Sequence, residues 1–420
     1  MSSHKHPDVV VIGGGPSGMM AAGRAGKLGH SVLLLEKNLS LGRKLLLTGG
    51  GRCNITNHKP TPQLMIEKYK GSEKYLYSAF AQFGVEDAIE LFNRLGVETK
   101  EEAEGRVFPT SDSSRSVLQA LVRYMREGNV LVRTNAGVAE ISINDETKLF
   151  HIKMKDESEI IAKACVVATG GVSHKETGST GDGFRWLKQL GHNIIDNNMA
   201  LVPVALKDDW AKKISGVTLE DIKLTTFQNN TKQKSQKGKL LFTHFGISGP
   251  TILNMSKGIG ELLQYGDVVV MLDLFPGTDH AEVKKRLQEL LVTESNKQLK
   301  NTLAQLVPLS FVSAILELGK ISGDKVNNSV SHEERLKIVA LTKAIPLNVS
   351  GLLGASKAIV SSGGVDPKEV DFKTMESRIV PNLFVTGDVL NIDRPSGGYS
   401  LQLCWTTGFV AGSNILKINM

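Results

Sequence analysis

Apolar residues open the chain as an unbroken run, Val9-Val10-Val11-Ile12, which stops at glycines, gives way to an alanine-rich segment and resumes as Val32-Leu33-Leu34-Leu35. A continuous β-branched run marks a strand covered on both faces, as in a parallel sheet. Pro7 to Asn38 is therefore predicted to be strand, glycine turn, helix, strand. Further on, EDAIELFNRLG and SSRSVLQALVRYMREG place apolar residues at helical spacing, the second behind a serine cap. VETKEEAEGRVFP and VLVRTNAGVAEI read as strands, and KACVVATGG reads as a buried strand opening into a glycine turn, with GSTGDG as loop beyond it.

The pattern changes near Asn198. From Leu201 to Leu274 the runs VPVAL, KLTTF, KLLFTHFGISG and DVVVMLDL are short, β-rich and separated by turn signals, which predicts an antiparallel sheet or small barrel. His280 to Ile345 is mainly helical by period and charge pattern. Glu376 to Leu416 returns to strand, turn and helix. The expected fold is α/β: a Rossmann-like domain over residues 1–198, an inserted β-barrel-like region over 199–278, an inserted helical segment over 279–345, and a return to the first domain over 346–420.

Composition narrows the chemistry. Glycine supplies 42 of 420 residues without a collagen-like period, so the excess belongs at turns and ligand-facing loops. Three cysteines, Cys53, Cys165 and Cys404, form no CxxC pair. That argues against a disulfide framework and a zinc knuckle, predicts no metal site, and fits a reducing compartment. No apolar run reaches the roughly 18 residues of a membrane span, and the first residues turn to glycine too soon for a signal peptide, so a soluble cytoplasmic protein without a membrane partner is expected. The net charge of +7 leans basic. Lys223 to Lys239 holds five lysines in one polar segment, either a phosphate-binding patch or a solvated hairpin tip.

The first βαβ unit carries GxGxxG at Gly13, Gly15 and Gly18, with Pro16 and Ser17 inside the motif, and Glu36 ends its second strand. This is a dinucleotide fingerprint in its proper context: glycines for the tight turn and close approach, a helix N-terminus for the pyrophosphate, a carboxylate for the ribose hydroxyls. The second conspicuous segment is TGGGRCNITN, Thr48 to Asn57. No Lys-Ser or Lys-Thr pair follows its glycines, so it is not a phosphate loop of the Walker type. Arg52 would pair with a cofactor phosphate, pair with an anionic substrate, or cap a local carbonyl. Cys53 would be a thiolate acid or nucleophile beside Arg52, or a small packing residue, since no histidine lies in the segment to serve as base. Tyr399 is a further candidate proton donor, and His244 a lone histidine in the inserted region.

Together GGGPSG with Glu36, TGGGRCNITN, ATGG, TGSTGDG, FTHFGISGP and GDVLNIDRPSGGYSLQ resemble the signature set of the BaiN/YhiN-like flavoproteins, also called the aminoacetone oxidase family, which have glutathione reductase-like FAD topology. The resemblance runs over essentially the whole chain. It implies FAD as cofactor, an FAD-binding role for the first domain and its return, and a substrate-covering role for the inserted region. It further implies that Asp388 holds the ribityl and pyrophosphate portion, and that the turn Ser396-Gly397-Gly398-Tyr399 sets a helix N-terminus at the flavin N1 and O2 edge, where negative charge gathers on reduction. Gly49, Gly50 and Gly51 would let the main chain approach the flat ring. The implied contact set is Gly13, Gly15, Pro16, Ser17, Gly18, Glu36, Lys37, Gly50, Gly51, Arg52, Val138, Thr169, Gly170, Gly387, Asp388, Gly397, Gly398, Tyr399 and Ser400, with Cys53, Tyr399 and Arg52 as catalytic candidates.

Members of that family carry a NAD(P)-utilising label, yet this sequence has one dinucleotide fingerprint, so NAD(P)H is expected only as a transient donor. The resemblance offers three substrate classes: steroid-like enones, small amino ketones, and a uracil in ribosomal RNA. The basic balance and the lysine-rich segment lean toward RNA. Uracil's C5–C6 bond is itself an enone-like acceptor, and a flipped base can be presented to a flavin. An aromatic content of 5% offers no evident stacking platform for general single-strand binding. The other class is an RNA-binding protein whose flavin is structural.

Overall fold

A computed structural model of the chain describes residues 6–195, 202–353 and 363–416. It divides into two compact units, Met1–Asn198 with Ile359–Met420, and Met199–Ala358. The fold is α/β with a Rossmann-type domain and an additional sheet and helical unit.

In the first unit, five parallel strands lie in the spatial order Leu131–Arg133, Val32–Leu35, Val9–Ile12, Ala164–Val167, Leu383–Val385, and the short antiparallel strands Glu376–Ser377 and Val370–Asp371 extend the far edge. The three central strands are buried at every residue, as their unbroken apolar runs require. The helices Pro16–Lys27, Ser114–Glu127 and Tyr399–Asn414 pack together. The terminal helix is buried along nearly all its length, and its Trp405 donates to the Ile55 carbonyl (2.9 Å) and meets Phe92 edge-on.

Two predicted single strands are each divided. VLVRTNAGVAEI supplies Leu131–Arg133 to the parallel sheet and Val138–Ile143 to a separate three-stranded meander. The polar Thr134-Asn135 break between them turns the chain, with Asn135 at φ 51°. VETKEEAEGRVFP folds back on itself, Thr99–Glu102 pairing with Arg106–Pro109.

The second unit is a closed antiparallel barrel in the order Val204–Leu206, Gly246–Ser248, Thr231–Thr243, Thr218–Gln228, Val268–Asp273, Ile345–Leu352. Alternate residues fill it, among them Leu224, Phe242, Val268, Val270, Leu272, Ile345, Leu347 and Val349. The helices His280–Thr293, Leu299–Leu306, Leu309–Gly319 and His332–Lys343 lie between the fifth and sixth strands in sequence. Phe311 contacts both Phe242 of the barrel (5.5 Å) and Trp210 (6.2 Å), fastening helices to barrel. A helix the pattern did not predict, Pro250–Leu263, also packs on the barrel.

The boundary expected at residue 345/346 is corrected. Ile345–Leu352 pairs with Val268–Asp273 on one side and Val204–Leu206 on the other, so the barrel closes only with the strand that was assigned to the returning domain. The expected boundary at 198/199 lies outside the described residues. The lysine-rich segment forms most of a hairpin whose tip, Asn229-Asn230, has positive φ at both residues (48° and 63°), the two-residue turn that matches strand twist. No helix among the described residues is long and apolar enough to cross a membrane.

Candidate functional site

The carboxyl ends of Val9–Ile12, Val32–Leu35 and Ala164–Val167 open into a solvent-connected cleft with about 1390 Å³ of space. This is where an open parallel sheet binds ligands, because the strand order switches there and helix N-termini converge. Gly13, Gly14, Gly15, Pro16 and Ser17 form one wall. Pro16 opens the helix Pro16–Lys27, whose N-terminus adjoins the cleft and carries no side-chain cap from its N-cap residue Gly15. A Cβ on Gly18 would collide with the Gly13 carbonyl, so Gly18 lets the helix seat against the turn and does not line the cleft; a Cβ on Gly15 would meet nothing within 4 Å.

Glu36 ends the second strand inside the cleft wall. Its Oε2 accepts from Gly14 N (2.8 Å), and its Oε1 accepts from Asn38 N (2.8 Å) and Asn38 Nδ2 (2.6 Å). A carboxylate offers about four lone-pair sites, so the oriented carboxylate keeps acceptor capacity for a ribose hydroxyl. Lys37 is committed elsewhere, to Thr180 Oγ1 (2.6 Å) and Asp182 (2.9 Å), which also line the cleft. Ala136, Val138 and Trp186 give an apolar flank. Thr169 Oγ1 is buried in the lining with no partner, and Gly170 adjoins it. An unsatisfied buried hydroxyl in a cleft wall is costly unless a ligand supplies the hydrogen bond.

The other flank holds Asp388, Ser400, Leu401, Cys404 and Lys44. Arg394, with its side chain 1% exposed, binds Asp388, donates to Ser400 Oγ (3.0 Å) and caps the Ile392 carbonyl (2.5 Å), locking the GD turn to the start of the terminal helix. Gly387 packs on Ser17, and its N–H donates to Thr407 Oγ1 (3.0 Å). Lys44 donates to Ser173 Oγ (3.1 Å). The polar wall, the helix N-terminus without a cap from Gly15, the oriented Glu36 and the orphaned Thr169 hydroxyl fit a dinucleotide.

The second conspicuous segment behaves differently from its expected chemistry. Gly50 and Gly51 adopt positive φ and face open space, but neither lines the cleft. Arg52 lies against the Phe108 ring (4.1 Å), binds both carboxylate oxygens of Glu102 and pairs with Asp112 (2.6 Å). Carboxylates thus take the place of the local carbonyl that Arg52 was expected to cap, and hydrogen bonds to Glu102 and Asp112 hold the guanidinium charged. Cys53 is fully buried at φ 65°, and burial pushes its thiol up to about 12, against an opposing hydrogen bond with Thr48. A thiolate beside Arg52 is therefore corrected to a buried thiol. Cys53→Ala is expected to keep full flavin content, keep turnover within about twofold, and lose about 1–2 kcal/mol from the vacated volume. Urea midpoint and steady-state rate check it, and a rate loss beyond tenfold at normal flavin content would return Cys53 to the chemistry.

Tyr399 is also buried, and burial pushes its phenol up to about 12, so it retains its proton at neutral pH. Its carbonyl accepts from Tyr69 Oη (2.9 Å). Gly397 and Gly398 do not line the cleft either. A Cβ on Gly398 would collide with the Thr56 carbonyl, so packing against the 54–57 segment already requires a glycine there. In the second unit His244 is exposed and lies edge-on to the Phe245 ring (4.8 Å).

Gly13, Gly15, Pro16, Ser17, Glu36, Lys37, Val138, Thr169, Gly170, Asp388 and Ser400 thus meet in one cleft. Gly18, Gly50, Gly51, Arg52, Cys53, Gly387, Gly397, Gly398 and Tyr399 stand outside its lining. The sequence reading missed Lys44, Asp182 and Arg394. Lys44 stands just before three leucines and Arg394 between Asp393 and Pro395, and a charge embedded in such a segment was the available signal. Among the described residues no group of ligating side chains is arranged for a metal ion.

The family model described as HI0933-like protein Rossmann domain matches residues 7–414. The ribosomal RNA dihydrouridine synthase of Escherichia coli (strain K12) is 31% identical over 412 residues, 97% of this chain and 98% of the relative. The 3-dehydro-bile acid delta(4,6)-reductase of Clostridium scindens is 30% identical over 406 residues, 96% of this chain and 97% of the relative. Among solved structures, 3-ketosteroid delta1-dehydrogenase from Sterolibacterium denitrificans shares the fold at a TM-score of 0.56 and 13% identity, over 97% of this chain and 99% of that one. On the family match and the full-length relatives, the chain belongs to the HI0933-like family and is an FAD-dependent oxidoreductase.

Proposed function

We propose that the protein reduces a carbon–carbon double bond conjugated to a carbonyl, and that its substrate is a uracil in ribosomal RNA. FAD, once reduced by its donor, would supply a hydride to the β-carbon of the conjugated acceptor, C6 in uracil, and a proton would complete the reduction at C5. The chain's own residues hold the cofactor: the N-terminus of Pro16–Lys27 takes the pyrophosphate, Glu36 the adenosine ribose, and Asp388 with the Ser400 end of the terminal helix the flavin side. Tyr399 is kept as the candidate proton donor from the sequence reading; it stands behind the described lining, beside Ser400, and burial makes its phenol a weaker acid than a free tyrosine. The inserted unit selects the substrate, and NADPH or NADH, without a second fingerprint to bind it, docks transiently as donor.

The reduction rests on two full-length relatives, one named for forming dihydrouridine in ribosomal RNA and one for reducing a bile acid enone. The observation that carries the RNA reading is the hairpin Thr218–Gln228 with Thr231–Thr243. Lys232, Lys234 and Lys237 are exposed on it, and among the described residues they and Lys223 make no ion pair; only Lys239 is matched, by Glu220. Unmatched lysines on one ribbon suit a phosphate backbone.

The test is anaerobic. Flavin bleached by NADPH or NADH is expected to recover its absorbance on adding a uracil-containing ribosomal RNA fragment. Replacing Lys223, Lys232, Lys234, Lys237 and Lys239 with glutamine is expected to weaken RNA binding by about 10²-fold at low salt and to flatten its salt dependence, leaving bleaching intact. Recovery with a steroid enone but not RNA moves the substrate to the second relative's class, bleaching by an amino ketone alone makes the protein an oxidase, and no bleaching by any donor leaves the flavin structural.

A further inference from the structure

We propose that Lys44 is a cofactor-facing cation, its ammonium pairing with an anionic group of the bound flavin dinucleotide. The inference rests on the cleft being an FAD site.

Lys44 lines the cleft, and among the described residues its one side-chain hydrogen-bond partner is Ser173 Oγ at 3.1 Å. Among the described residues it makes no ion pair. The carboxylates around it are engaged: Asp388 by Arg394, and Glu176 by His174 at 2.8 Å. Two cations, Lys44 and Arg394, therefore share this flank with one cleft-lining carboxylate, and Arg394 takes that carboxylate with a side chain withdrawn from solvent. One positive charge is left over beside the N-terminus of the terminal helix, whose dipole has the same sign. Burial depresses the lysine's affinity for its proton, with Asp388 only partly opposing. A half-buried ammonium with no counter-ion, in a cleft that also presents a second helix N-terminus, is a site built for negative charge.

A bound flavin dinucleotide offers that charge from two sources, the pyrophosphate in every redox state and the ring after reduction. Lys44→Met, Lys44→Gln and Lys44→Arg are compared with the parent chain in two assays that need no turnover. One is the dissociation constant of FAD from the apoprotein across a salt series. The other is the dissociation constant of the sulfite adduct of the bound flavin, which reports positive charge near the ring. If the pyrophosphate is the partner, Met and Gln raise the FAD constant at least tenfold and lower its salt dependence. If the reduced ring is the partner, FAD binding stays within about threefold while the sulfite constant rises at least tenfold. In either case Arg restores most of the parent value, since charge is what matters. The proposal is overturned if Met and Gln leave both constants unchanged, or if Arg is as impaired as Met, which marks a packing role. Failure of the parent chain to bind FAD defeats the cofactor reading itself and is seen before any variant is made.

Discussion

Gly18→Val is expected to give a protein that carries no FAD. The added Cβ would collide with the Gly13 carbonyl and approach the Ala168 Cβ at 3.2 Å. Neither obstacle is the flexible end of a side chain, since one is the turn backbone and the other is a Cβ fixed to the main chain just past the strand Ala164–Val167. The helix Pro16–Lys27 must then lift from the turn, and its first-turn N–H groups leave the place where a pyrophosphate would lie. Its other face is equally fixed: a Cβ on Gly408 of the terminal helix would collide with the Ser17 carbonyl, so the two helices already touch backbone to backbone. Affinity for FAD is expected to fall at least about 10²-fold, equivalent to about 2.7 kcal/mol, with a stability loss of about 1–3 kcal/mol from overpacking. Flavin absorbance per protein after gel filtration measures the first and urea unfolding the second. A yellow Gly18→Val protein with normal flavin content would mean that the dinucleotide does not rest on this helix.

Arg394→Met is expected to cost about 3–5 kcal/mol, because it removes one member of a buried charge pair and leaves the other. Asp388, with its side chain 15% exposed, loses its matched cation; Ser400 Oγ and the Ile392 carbonyl each lose a donor. The expected signature is a lower urea midpoint together with loss of FAD, since Asp388 and Ser400 both line the cleft. Adding Asp388→Asn to Arg394→Met is expected to recover much of the stability and little of the FAD affinity. An Arg394→Met protein that unfolds at the parent midpoint would show the pair to be slack.

Much of the Rossmann frame was legible because local pattern and tertiary need coincide there. Val9–Ile12 and Val32–Leu35 are apolar at every position because both faces are covered, and Gly13, Gly15 and Gly18 mark a turn that no other residue spacing reproduces. Glu36 followed from the same unit. The chemistry of Arg52 was not legible: its partners Glu102 and Asp112 lie 50 and 60 residues away, and no period in the sequence links them. The thiolate reading of Cys53 misled for a related reason, since a reactive residue beside a motif suggests chemistry, whereas Cys53 is fully buried with its thiol held protonated. Arg394 and Lys44 needed the fold, because a charge is informative only once its neighbours are known to be buried or spent. The barrel was visible as alternating runs, but its closing strand was not, because Ile345–Leu352 follows four helices and resembles the start of a new region.

The parallel pairing of Ala164–Val167 with Leu383–Val385 bears on how this protein is made. The entire second unit is inserted between these partners, so on the ribosome the edge of Ala164–Val167 stays bare until nearly the whole chain has emerged. At about 5–20 residues per second that interval lasts roughly 10–40 s, while the barrel, contiguous in sequence, can close in the meantime. For that period an apolar strand with unpaired N–H and C=O groups is open to a wrong partner, and the terminal helix that will cover the neighbouring helix has not been synthesised. Chains released before Leu383 should therefore hold a finished barrel beside an unfinished cleft, and depend on chaperones to remain soluble.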